Sequence, residues 1–177
     1  MVFALLIAIS LMWWTVGLLF LGKGEAKSTG ATCGLVGAVT VIGGMIVGAV
    51  YNDFWTAGLL LAHGLLYCVV SYVLMAGIED LRSMGNVSLT VAVISGLYTI
   101  HNFVGGPGAP AIGLHPIGAT PYLAFMCAGY TVLTVEVWLN TYGKFPAKAL
   151  AWSLIIWAVV GLWVPAFGLM VKGWLPF

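Results

Sequence analysis

Apolar residues run along this chain in six long blocks, each ended by a short polar or glycine-bearing link. The first covers residues 2–22, about 21 positions, which at about 1.5 Å per residue is enough to cross a hydrocarbon core of about 30 Å. Further blocks follow over 30–50, 55–78 and 87–103, the last being the shortest; then from Tyr122 to the turn at Gly143, and finally over 149–171. No basic segment precedes the first block and no small-residue cleavage site follows it, so it reads as a membrane span and not as a cleaved signal peptide. The pattern predicts an all-α integral membrane protein, a single domain over 1–177. Short links make its six transmembrane helices an antiparallel bundle.

The links carry their own signals. GKGEAKST (22–29) ends in Ser28 and Thr29, hydroxyl residues suited to satisfying the free N–H groups at the start of the second helix. Within that helix, glycines at 30, 34, 37, 44 and 48 recur at helical spacing, with GxxxG pairs at 30/34 and 44/48; they predict a face on which a neighbouring helix packs closely. Tyr51, Asn52 and Asp53 make a tight turn, and EDLRSMGN (79–86) is a polar link into the fourth span. The link over 104–121 is the longest and is rich in Gly and Pro, so it is not a regular helix; an ordered cap and a vestibule or gate both fit it. Pro165 should bend the last helix near its outer end, Trp152 and Trp163 share a face of it, and Trp174 suits an interface anchor.

Composition sharpens the class. Charged residues are 6% and hydrophobic residues 62% of the chain, with a mean hydropathy of +1.11, far from the roughly 25% charged of soluble proteins. A net charge of +1 without a clustered basic patch excludes a nucleic-acid partner; the lipid bilayer is the partner composition demands. Cys33, Cys68 and Cys127 sit in three different blocks without CxxC spacing, so they read as packing residues and not as a disulfide framework or zinc site. His63 lies alone in the third span and reads as a helix-contact residue, with no metal site implied. Lys23, Lys27, Arg82, Lys144 and Lys148 fall in the links after spans one, three and five, while the other two links have no Lys or Arg. The positive-inside rule then puts those odd links in the cytoplasm and both termini outside.

One polar group stands out. Glu136 is the acidic residue inside an apolar block, where a carboxylate costs about 2.5–3.5 kcal/mol at mid-membrane. It is either an acceptor lining a polar path or a tie between helices. Thr134, Tyr130 and Asn140 are further acceptors on the same helix. Trp13 and Trp14 sit near the middle of the first span, away from the interfaces where anchoring tryptophans belong, and can line a path or simply pack.

With these residues in hand the chain resembles the AmiS/UreI family of urea and short-chain amide channels. The resemblance rests on K-G-E-A-K-S-T (23–29) followed by a Gly-rich second span, on the GKF turn (143–145), on W-V-P-A (163–166), and more weakly on GLLL…LLY within 58–67. It implies a bacterial inner-membrane protein, not an enzyme, without cofactor, metal or covalent chemistry. It also implies a ring of six copies, each with its own narrow pore for a small uncharged amide. Constrictions on the fifth helix and near the inner end would then draw on Glu136, with Leu123, Met126 and Tyr130 where aromatic stacking is expected and Ser153 or Trp157 where a second carboxylate is expected. Leu61, Leu65, Trp13, Trp14, Thr134, Asn140 and Trp152 complete the candidate lining. These departures leave the permeant open between urea and a slightly larger amide. A secondary transporter with alternating access is the rival reading; it calls for helices broken at mid-membrane, whereas the Gly/Pro interruptions here concentrate in one link.

Overall fold

The structure is a computed structural model that describes residues 2–108 and 116–173. Six membrane-length helices are present among them: α1 (Val2–Phe20), α2 (Ala26–Tyr51), α3 (Phe54–Ala76), α4 (Arg82–Val104), α5 (Pro121–Thr141) and α6 (Ala147–Lys172). Each packs on its neighbours in sequence, and α6 closes back on α1, so the helices stand in a ring in chain order. Large apolar side chains face outward all round it, among them Leu35, Ile42, Val93, Phe103, Ile156 and Phe167, as a hydrocarbon surrounding requires.

The helix starts differ in two places from what the links suggest. Glu25, not Ser28 or Thr29, caps α2: its carboxylate accepts from the N–H of Lys27 at 2.8 Å and of Ser28 at 2.7 Å, and these bonds hold its pKa below the ordinary value. A carboxylate can serve two helix-start donors at once, where a hydroxyl serves one. The fourth helix begins at Arg82, so the polar residues 82–86 form its first turns and it spans 23 residues, longer than the 19 of α1. Polar side chains do not stop a helix when they find partners: Asn86 accepts from the Tyr142 hydroxyl at 2.9 Å, and Gly85 lies against Thr141. Asp80 just before α4 is gripped by Arg82, whose guanidinium holds the carboxyl at about 2. Between α2 and α3 the chain reverses through Asn52 at φ 54°, a conformation Asn tolerates, and Asp53 caps α3 through the Thr56 N–H at 2.9 Å.

The glycine face of α2 lies on α3. A Cβ at Gly37 would come within 2.9 Å of the Cys68 backbone nitrogen, and one at Gly44 within 3.3 Å of the Ala57 carbonyl, so the two backbones approach as only small residues allow. On α5, Gly129 opens a place for the Trp157 ring of α6. Helix α6 is not simply bent at Pro165. It widens into π-helical turns over Ala158–Trp163, and again over Gly168–Lys172. Pro165 has no N–H, so the carbonyls it would serve in the regular or wider winding, those of Gly161 and Val160, lack that in-helix donor. Two tyrosines of α5 supply it: Tyr130 donates to the Gly161 carbonyl at 3.1 Å and Tyr122 to the Val160 carbonyl at 2.8 Å.

These two bonds make a stability test. Tyr130→Phe and Tyr122→Phe each leave a carbonyl short of a donor inside the bilayer, costing about 1–3 kcal/mol. The thermal unfolding midpoint in detergent should fall for each variant and further for the double variant, while Tyr72→Phe, on the outward face, leaves it in place. An unchanged midpoint in the double variant would rule out this account of the widened turn.

Candidate solute pathway

The ring of helices does not fill its own centre. At the end of the bundle where α1 begins and α6 ends there is a cavity of about 450 Å³, walled by Leu6 and Ile9 of α1, Leu59 and Leu60 of α3, Leu123 and Met126 of α5 and Leu162 of α6. Deeper along the axis lies a second chamber of about 60 Å³, large enough to hold water. Met12, Val16, Val70, Leu133, Val137 and Leu154 wall it, with Thr134 among them; its hydroxyl is turned back to the Tyr130 carbonyl of its own helix. Helix α2 lines neither chamber, because its glycine face is spent on α3.

Trp13, His63, Tyr67 and Tyr130 belong to the walls of both chambers, and they meet one another in a closed loop at the waist between them. Trp13 and Tyr130 are edge-on with centroids 5.4 Å apart, as are His63 and Tyr130. His63 and Tyr67 share a hydrogen bond of 3.4 Å, and the Trp13 indole N–H donates to the Tyr67 hydroxyl at 3.3 Å. The Nε2 of His63 lies 2.9 Å from the Ser95 hydroxyl of α4. Edge-on rings present both π faces and polar edges to whatever passes.

The rim of the larger chamber carries the remaining polar groups. Trp55 lies against Tyr98 with ring centroids 4.0 Å apart, donates to Asn102 Oδ1 at 3.3 Å, and receives the Tyr98 hydroxyl on its own carbonyl at 2.7 Å. Asp53, Thr56 and Thr120 also face this chamber, and His101 stands edge-on to Trp55. The long link is pinned at its base by a two-way backbone pair between Gly106 and Ile117, each bond 2.9 Å. Trp174 lies outside the described residues.

Of the candidate lining residues, Trp13, Leu123, Met126, Tyr130 and Thr134 are brought to the axis. The others are not. Leu65 and Trp152 point outward, 57% and 56% exposed, because they sit on the faces of α3 and α6 opposite the axis. Leu61 packs on Gly44 of α2, and Trp14 stacks on Trp163, which in turn donates to Ser10 at 2.6 Å. Asn140 closes its own turn through the Phe145 carbonyl at 2.8 Å. Glu136 lines neither chamber. Its helical face is that of Gly129, which packs on α6, and there Ser153 lies within hydrogen-bonding reach of the carboxylate while Oε2 is buried without a partner. Sequence reading passed over Tyr67, Ser95 and Asn102 and took His63 as a helix contact; the one local signal was the i, i+4 pairing of His63 with Tyr67. Among the described residues no three metal-binding side chains converge.

A closed ring of six membrane-crossing helices about an axial pair of chambers is the architecture of a membrane transport protein. The model of the AmiS/UreI family of transporters matches residues 1–173, and the chain belongs to that family. Two solved structures share the fold: a cryo-EM structure of the Helicobacter pylori urea channel in the closed state, with TM-score 0.82 and 20% identity, and a crystal structure of the urea channel from the same organism, with TM-score 0.81 and 21% identity. Each alignment covers 99% of this chain and 100% of the other. No curated protein sequence matches the chain significantly.

The place of Glu136 generates a prediction. A carboxylate held between α5 and α6 serves stability, so Glu136→Leu should lower the unfolding midpoint more than Glu136→Gln, which keeps a carbonyl for Ser153. Solute flux per folded protein should stay near native in both. A large loss of normalised flux in Glu136→Leu would return this residue to the path.

Proposed function

We propose that the chain is a passive channel for urea and short uncharged amides, with one path through each protomer. The observation that carries this is the axial alignment of the two chambers through a waist whose ring edges are joined by long hydrogen bonds. The shared fold with the Helicobacter pylori urea channel supports urea as a permeant class. The protein sits in a bacterial inner membrane with both termini outside, as the distribution of Lys and Arg over the links indicates. By the family resemblance the protomers form a ring of six.

The chemistry of such a path follows from its walls. A flat amide offers π faces and a methyl or amino edge to the apolar chamber, and a carbonyl and N–H groups to the polar edges of the waist. An ion meets polar groups such as Asp53, Thr56 and Thr120 at the rim of the larger chamber, but beyond the waist the inner chamber, walled mainly by Leu, Val, Met and aromatic side chains, offers little to replace its hydration shell. The line of candidate residues that carries selection is Trp13, Leu123, Met126, Tyr130 and Thr134, together with His63 and Tyr67. Alternating access is the less favoured reading: α6 is widened at mid-course but remains helical, and α5 tyrosines hold the Val160 and Gly161 carbonyls.

Purified protein in liposomes should pass urea, acetamide and formamide with rates that rise linearly with concentration and ignore sodium and proton gradients. Saturation together with ion coupling would replace the channel by a transporter. Orientation is testable in cells, on a background whose native cysteines are replaced. An impermeant thiol reagent applied outside should label Pro107→Cys, in the link after α4, and spare Gly24→Cys, in the link after α1; the reverse pattern would invert the topology.

A further inference from the structure

We infer that His63 sets specificity at the waist by presenting an imidazole acceptor to solutes that can donate an N–H, and that Ser95 is its positioning residue. The inference rests on the channel reading and goes on to say which atom of the waist does the selecting. Trp13, Tyr67 and His63 are 4%, 4% and 5% exposed, with that little surface on the chamber walls, and Ser95 is fully buried. Their bonds form one chain from α1 through α3 to α4. An indole N–H only donates, so the Tyr67 oxygen accepts from Trp13 and the Tyr67 proton is left for His63 Nδ1. With Nδ1 accepting, Nε2 carries the ring proton and gives it to Ser95. In this direction the donors of Trp13, Tyr67 and His63 are all placed within the chain, whereas the reverse, with Ser95 donating to Nε2, leaves the Tyr67 proton without an acceptor there; Nδ1 is thereby assigned as the acceptor on the axial side.

The lengths show where the chain gives way. The Ser95 end is 2.9 Å, an ordinary strong bond, whereas the two bonds at Tyr67 are 3.3 and 3.4 Å, beyond the usual range of about 2.7–3.2 Å. The ring is anchored on α4 and loose toward the axis. A primary amide can take the place of the Tyr67 hydroxyl in both bonds at once, its carbonyl accepting from Trp13 Nε1 and its N–H donating to His63 Nδ1. A tertiary amide of the same size can satisfy Trp13 but leaves Nδ1 unpaired. A buried unpaired acceptor is where discrimination of this kind originates.

Propionamide and N,N-dimethylformamide are isomers that differ in this respect, and their fluxes through protein in liposomes, corrected for leak through lipid alone, give the test. The native protein should favour propionamide. His63→Phe keeps a ring at the waist without the acceptor, and should reduce the ratio of the two fluxes about five- to tenfold, the worth of one hydrogen bond. His63→Gln, which restores an acceptor and a donor, should recover part of the ratio. Ser95→Ala should lower the ratio and mix the imidazole tautomers seen by ¹⁵N NMR, where the native ring shows Nε2–H alone. A ratio unchanged in His63→Phe and Ser95→Ala, with amides still passing, would overturn this inference and leave the channel standing. Absence of amide flux in the native protein would overturn both. Should His63→Phe not fold, the Ser95→Ala ratio and tautomer decide alone.

Discussion

Inside a bilayer a polar group has no water to fall back on, and the interior of this bundle is arranged around that single constraint. Hydroxyl side chains within the spans turn back onto their own helices: Thr40 onto the Val36 carbonyl, Thr99 onto Ser95, Thr131 onto Cys127. Ser88 reaches across from α4 to the Thr134 carbonyl of α5 at 2.9 Å. Where Pro165 withholds a donor from α6, two tyrosines of the neighbouring helix provide it. Among the described residues, what is left after this internal pairing includes the waist, whose axial bonds are long, and Glu136, with one oxygen unmet. The first lies on the axis and the second between two helices, which is why they are assigned different work.

The packing explains why there is an axis at all. Glycines let α2 lie so close on α3 that the pair acts as one thick wall, and this removes α2 from the lumen. Close pairing of α4 with α5 has the same origin in Gly85, facing Thr141, and in Gly96, opposite Thr131 at about van der Waals contact. A six-membered ring built from such pairs leaves a centre too wide for the Leu, Met and Val side chains that point into it to fill. The cavity is therefore a consequence of where the small residues lie, and aromatic side chains at mid-depth narrow it.

How far this could be read from the sequence follows from the same physics. The six spans were legible because hydrocarbon thickness fixes their length, and the α2 face because glycines at helical spacing have few other uses. The start of α4 was not, since residues 82–86 look like a link until Asn86 and Gly85 meet α5. The inward faces were harder still. In a soluble helix the polar side marks the surface, but here lipid, neighbouring helix and lumen are all apolar, so Leu65 and Leu60 look alike in the sequence although one faces outward and the other the chamber. Glu136 drew attention as a lone carboxylate, and the sequence could not say that Gly129, two turns earlier, commits that face to α6. His63 looked solitary because, Tyr67 apart, its partners Ser95 and Tyr130 come from two other helices.

A waist held by strong bonds would block and one held by none would leak, so the uneven bond lengths of the Trp13–Tyr67–His63–Ser95 chain bear directly on transport. The short bond to Ser95 holds the imidazole in place; the long bonds at Tyr67 cost little to break, provided the entering solute replaces them. Water can replace them one at a time, but it lacks the flat face that fits between the edge-on rings of Tyr130 and its neighbours. An ion can replace one and loses its hydration against the Val16, Val70, Val137 and Leu154 walls beyond. A planar molecule that accepts at one end and donates at the other pays least, because each bond it breaks is one it makes.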